Sequence, residues 1–196
     1  MLGDLPKSLT VRGVVYPIRS DYRDVLRVIS AYNAPELSTQ EKVYVCLRQI
    51  FVDSEKIPEN ALPDAYKAAI NFIECSTKNG AENSPVLVDW EKDEQLIFAA
   101  INKTAGFEVR GVDYLHWWTF LGYFQNVDSN DVWGQILTIR QKKAKHKKLE
   151  KWEQEFYNAN TDMCTVGKVL TTKDLRERSY KALEDFYNDL QADEEE

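Results

Sequence analysis

Residues that carry chemistry are scarce in this 196-residue chain, and each scarcity excludes something. The three cysteines, Cys46, Cys75 and Cys164, are odd in number, and their spacing suits neither a disulfide framework nor paired metal ligands. That pattern predicts reduced thiols in a cytosolic protein. Two histidines, His116 and His146, are too few for a His- or Cys-rich metal centre. The chain has no glycine-rich phosphate loop, no His-Glu-x-x-His, no Cys-x-x-Cys and no nucleophile elbow. Its carboxylates are numerous but scattered, and no spacing isolates a pair for acid–base work. No catalytic residue, metal site or cofactor is therefore assigned, and the expectation is a non-enzymatic binding protein. Long apolar runs are missing too. The uncharged run 114–127 has 14 residues, against about 20 for a membrane span. Asp4 and Lys7 interrupt any N-terminal signal core. The expected location is the cytoplasm, without membrane association.

What is present is ordinary in proportion and uneven in placement. Hydrophobic residues make up 43% and charged residues 29%, as in globular domains generally. A net charge of −7 and a pI near 5.0 argue against general nucleic-acid binding. The stretch 113–124 is the densest in aromatics. Read as a helix capped by Asp113, it sets Tyr114, Trp117, Trp118, Leu121 and Phe124 on one stripe at the helical period. These five are the predicted structural core.

Around that helix the pattern predicts a mainly α fold. We expect an irregular domain of six to eight helices with a short N-terminal β-hairpin and a C-terminal helical extension. Leu9 to Val11 and Val14 to Ile18 read as two strands about Arg12-Gly13. Helices are predicted from Ser20 to Tyr32, after the capping box Ser38…Glu41, from Pro63 to Cys75, from Trp90 to Ala105, and from Asp131 onward. Gly106 is placed to end the Trp90 helix in a left-handed conformation. Cys46 falls on a buried stripe with Val43, Leu47, Ile50 and Phe51. Residues 1–160 are expected to form the helical domain. Residues 161–196 are expected to hold a linker, a helix over 174–190 and an acidic tail.

Segment 140–151 differs in character. Arg140, Lys142, Lys143, Lys145, Lys147, Lys148 and Lys151 are basic, and Glu150 is the sole acid. With Leu149, Trp152, Phe156 and Tyr157 as an apolar edge, it reads as one exposed helix. It is either a solvated face or a contact for an acidic partner or nucleic acid. The seven basic residues are the candidate partner-binding set. The acidic tail at 193–196 is a further place where this arm could fold back.

Three stretches carry a resemblance: Val15-Tyr16-Pro17-Ile18-Arg19-Ser20-Asp21-Tyr22-Arg23, Asp89-Trp90-Glu91-Lys92-Asp93, and Tyr114-Leu115-His116-Trp117-Trp118-Thr119-Phe120. Over residues 14–159 the chain resembles the "gene product fifteen" family of long-tailed phages and prophages of Gram-positive bacteria. The resemblance implies a tail-assembly chaperone in the cytoplasm of the bacterial host, absent from the mature virion. Its implied partners are the phage tape-measure protein and tail-tube protein, with self-association left open. The competing reading is a nucleic-acid-associated phage factor that uses segment 140–151.

Overall fold

The computed structural model describes residues 3–75, 85, 87–166, 181, 185 and 188. Among them are one two-stranded sheet and eight α-helices, a mainly α architecture as expected. The loop read over 76–85, the helix over 174–190 and the tail at 193–196 lie wholly or mostly outside the described residues, as does part of 86–88. The chain forms two compact units. One comprises 1–79, 114–119 and 176–196; the other comprises 80–113 and 120–175.

The first unit opens with β1 (Ser8–Val11) and β2 (Val14–Pro17), paired antiparallel from Val11↔Val14 to Ser8↔Pro17. The two-residue turn has positive φ at both positions, +46° at Arg12 and +83° at Gly13. This is the backbone twist that suits a tight hairpin. Beyond Pro17 the strand direction continues against 51–52. Ile18 bridges Phe51, and the Val52 amide donates to the Pro17 carbonyl at 3.1 Å. The hairpin therefore does not stand alone, as a two-stranded ribbon rarely can.

Three helices follow: α1 (Tyr22–Asn33), α2 (Thr39–Ile50) and α3 (Leu62–Ile73). Asp21 caps α1 by accepting from the Arg23 amide. Ser38 and Glu41 form the capping box read from sequence. Pro63 lies in the first turn of α3, where its missing N–H costs no bond. The core of the unit contains Val25, Val28, Val43, Cys46, Ile50, Phe51, Tyr66 and Phe72, all buried. Burial pushes the Cys46 thiol up to about 12, which keeps it protonated and inert.

In the second unit α4 spans Glu94–Ala105, later than predicted. Residues 90–93 form a turn instead. The Asp89 carboxylate takes the Glu91 and Lys92 amides at 3.2 and 3.1 Å, and so caps that turn rather than the helix. Gly106 ends α4 with φ +79°, as the sequence indicated. Helices α6 (Val132–Ala144), α7 (Lys151–Ala159) and α8 (Thr161–Cys164) complete the unit. The start of the expected linker at 161 is thus helical. The core combines Ile97, Phe98, Ile101, Val109, Phe120, Trp133, Ile136 and Ile139.

Gly134, in the first turn of α6, has no room for a side chain. A Cβ there would lie 2.3 Å from the Asp128 carbonyl oxygen and 2.7 Å from Ser129 Cα. Both are backbone atoms and cannot swing aside. Gly134→Ala is therefore expected to cost about 2–3 kcal/mol, despite alanine's better helix propensity. A urea titration checks it; a neutral or stabilising result would show that the 128–129 turn yields freely.

The central aromatic helix, α5 (Trp117–Gln125), starts four residues after Asp113. Residues 114–116 are extended and lie along 20–22. The Tyr22 amide donates to the Leu115 carbonyl at 3.0 Å, and the Trp117 amide donates to the Ser20 carbonyl at 2.8 Å. This pairing removes Tyr114 from the predicted stripe, and the residue is 47% exposed. Of the other four, Trp117 is buried, while Trp118, Leu121 and Phe124 are half-buried. Phe120, which the sequence reading set away from the stripe, is fully buried.

Candidate functional site

The stretches that carry the resemblance serve mainly as joints. The Arg19 guanidinium donates to the carbonyls of Arg48, Phe51 and Val52 at 2.9, 2.6 and 3.2 Å. It thereby puts a positive charge at the carbonyl end of α2, where the helix dipole favours it. Ser20 Oγ and the Tyr114 hydroxyl are hydrogen-bonded at 2.8 Å. Asp21 does two tasks at once: Oδ1 caps α1, and Oδ2 accepts from the Leu115 amide at 2.9 Å. The indole N–H groups of Trp117 and Trp118 donate to the carbonyls of Ile73 and Phe72, at 2.8 and 2.9 Å. Both carbonyls lie in the last turn of α3, and that of Phe72 also accepts from the Cys75 amide at 3.0 Å.

His116 belongs to the same framework. Its Nδ1 accepts from the Trp118 amide at 3.0 Å, so it caps α5 in place of Asp113. Its Nε2 donates to the Pro6 carbonyl at 2.9 Å. With both nitrogens engaged and 2% of the residue exposed, it is a structural histidine rather than a general base. Burial lowers its proton affinity; the Pro6 bond opposes this and the Lys7 charge adds to it. The folded chain therefore holds this proton less readily than the unfolded chain does. The stability that follows is fully present above the ordinary histidine value of 6.5 and is lost as pH falls from there through the folded value. The urea midpoint should drop between pH 7.5 and pH 5.5. His116→Asn, which can still accept from the Trp118 amide, should lose much of that dependence. A wild-type midpoint constant over this range would contradict the assignment.

The basic segment is the remaining candidate, and the structure divides it. It is not one helix. It comprises the end of α6, a connection over 145–150 and the first residue of α7. The break is a left-handed residue, His146, at φ +52°. The His146 amide donates to the Lys143 carbonyl at 3.0 Å, and the Lys147 amide to the Lys142 carbonyl at 2.8 Å. This is the paired closure usually built on glycine. With no glycine present, the helix end was invisible in the sequence.

Two of the seven basic residues are committed to the fold. Arg140 was predicted to meet a partner, but its side chain is 1% exposed, as is that of Asp93, its ion-pair partner. Nη1 and Nη2 grip the two Asp93 oxygens at 2.5 and 2.8 Å. The guanidinium also donates to the carbonyls of Leu87 and Met163 and lies over the Trp133 ring. Four acceptors from three segments leave it nothing to offer another molecule. Lys142 donates to both Glu153 oxygens at 2.6 and 2.7 Å, and the Glu153 carboxylate is 2% exposed. These bonds and the Glu150 amide hold the Glu153 carboxyl below its usual range against its burial. Neither partner was legible locally, because Asp93 is 47 residues from Arg140 and Glu153 is 11 from Lys142.

The other five are exposed: Lys143, Lys145, Lys147, Lys148 and Lys151. Lys143 lies over the Tyr157 ring at 4.1 Å. Four of the five line an open cleft of about 750 Å³ with Glu150 and Glu155. Trp152, read as part of an apolar edge, is 50% exposed. Among the described residues no group of His, Cys, Asp and Glu side chains is arranged to hold a metal ion. No described helix is long and apolar enough to cross a membrane.

A family model described as "Bacteriophage Gp15 protein" matches residues 1–163. The match ends on Met163, the residue whose carbonyl Arg140 holds. No curated protein and no solved structure matches the chain significantly.

Proposed function

Because the chain belongs to the bacteriophage Gp15 family, we propose that it is a tail-assembly chaperone. It binds the tape-measure protein, and through it the tail-tube subunits, in the host cytoplasm during tail morphogenesis. It leaves before the virion is complete. The observation that supports this reading best is the exposed lysine cluster left after Arg140 and Lys142 are spent on the fold.

The client's physics explains the fit. A long helical protein with an apolar seam aggregates unless the seam is covered. The cover must also come away as the tube forms, so many modest contacts serve better than a few strong ones. Exposed lysine–carboxylate pairs contribute about 0–1 kcal/mol each. Lysine is a mobile, strongly hydrated point charge. Such pairs steer encounter and release readily.

Affinity capture of the tagged chain from cells producing phage tails is the test. The tape-measure protein should be recovered with it, and purified virions should lack the chain. Recovery without the tape-measure protein, or stoichiometric presence in virions, would overturn the reading.

A further inference from the structure

We propose that the lysine cleft between the end of α6 and the start of α7 docks an acidic helical segment of a protein partner. This deepens the chaperone reading and rests on it for the partner's identity, but not for the chemistry. Lys143, Lys147, Lys148 and Lys151 line the cleft. Lys147, Lys148 and Lys151 have no ion-pair partner among the described residues, whereas Arg140 and Lys142 do. Four of the five exposed lysines therefore direct their positive potential at one cleft.

The occupant is constrained by what surrounds those lysines. An external phosphate would be expected to use the free amides at the start of α7. A pair of glutamates already sits at that end as its capping box. The Glu150 carboxylate takes the Glu153 amide, and the Glu153 carboxylate takes the Glu150 amide at 2.7 Å and the Lys142 ammonium. Glu150 and Glu155 also line the cleft itself. A nucleic-acid strand carries a charge at every nucleotide and cannot leave one out opposite them. Carboxylates on a helix are spaced by turns of 5.4 Å and can meet the lysines while bypassing the two glutamates. Such a helix can also present a basic residue to Glu155.

Leu149 supplies the apolar element. It is half-buried and lines the cleft between Lys148 and Glu150. It fits an apolar residue one turn from a carboxylate on the partner helix.

The probe is a synthetic amphipathic peptide of about four helical turns, with glutamates on one face and leucines beside them. Its binding to the full chain is measured by calorimetry at low and moderate salt. A single-stranded RNA of equal net charge is titrated in parallel. We expect the peptide to bind and to weaken as salt rises. Changing Lys147, Lys148 and Lys151 together to Gln should reduce affinity about tenfold. Lys145→Gln, outside the cleft lining, should leave it unchanged. Every substituted lysine is exposed, and unchanged thermal melting of each variant shows that the fold is kept. Tighter binding of RNA than of peptide overturns the choice of occupant. Absence of peptide binding, or equal binding by the triple variant, overturns the site. If the peptide binds here but the tape-measure protein is not captured from cells, the chaperone reading fails and the docking site stands.

Discussion

Arg140→Met is expected to destabilise the chain by about 3–5 kcal/mol, because it leaves the Asp93 carboxylate buried without its counter-charge. Methionine fills a similar volume and cannot donate, so the loss is electrostatic rather than a cavity. The carbonyls of Leu87 and Met163 lose their donor in the same step. Arg140→Lys should recover only part of the loss. One ammonium cannot grip both Asp93 oxygens and reach two carbonyls, as a planar fork does. The double variant Arg140→Met with Asp93→Asn should lose less than the sum of the two single changes, since the stranded charge is gone. Urea unfolding of the four proteins provides the measurement. A loss under about 1 kcal/mol for Arg140→Met would mean that this arginine behaves as a surface residue. Its place in the partner-binding set would then be restored.

The second large effect is at Trp117. Trp117→Ala is expected to cost about 3–5 kcal/mol, a substantial share of a domain's usual total stability. The residue is 2% exposed, and its indole N–H satisfies the Ile73 carbonyl at the end of α3. Trp117→Phe separates the two roles. It keeps much of the ring's packing and leaves the carbonyl unpaired, so it should lose about 1 kcal/mol from that bond besides the missing ring volume. Trp118→Ala should cost less than Trp117→Ala, because Trp118 is half-buried and stacks on Phe72 at 6.1 Å between centroids. If both alanine variants melt within a few degrees of wild type, α5 does not organise its surroundings as described.

How much of this was legible depended on whether the determining contact was local. The Ser38…Glu41 box, the helix end at Gly106 and the buried stripe around Cys46 were all readable, because each depends on residues within two turns. The start of α5 was not. Asp113 is a sound cap by type, but pairing of 114–116 with 20–22 extends the backbone past it, and His116 takes over as cap. Tyr114 was assigned to the core on helical spacing that does not exist at that position. The basic segment shows the same limit. Counting charges gives seven candidates of equal standing, and only long-range partners show that two are structural. The end of α6 was hidden for another reason: histidine occupies a left-handed position where glycine would have announced a stop.

The basic residues thus fall into two groups with different readouts. Changes at Arg140 should appear in stability, and changes at Lys147, Lys148 and Lys151 should appear in binding with stability intact. Exposed lysines that make no ion pair themselves change stability by little, so the two classes can be separated in one set of variants.

The most direct measurement is the soluble fraction of the tape-measure protein, from the phage whose genome encodes this chain, expressed with and without it. The account predicts that the tape-measure protein is largely insoluble alone, soluble when the chain is present, and elutes with it on gel filtration. A tape-measure protein that stays in the pellet, or is equally soluble without the chain, would contradict the account.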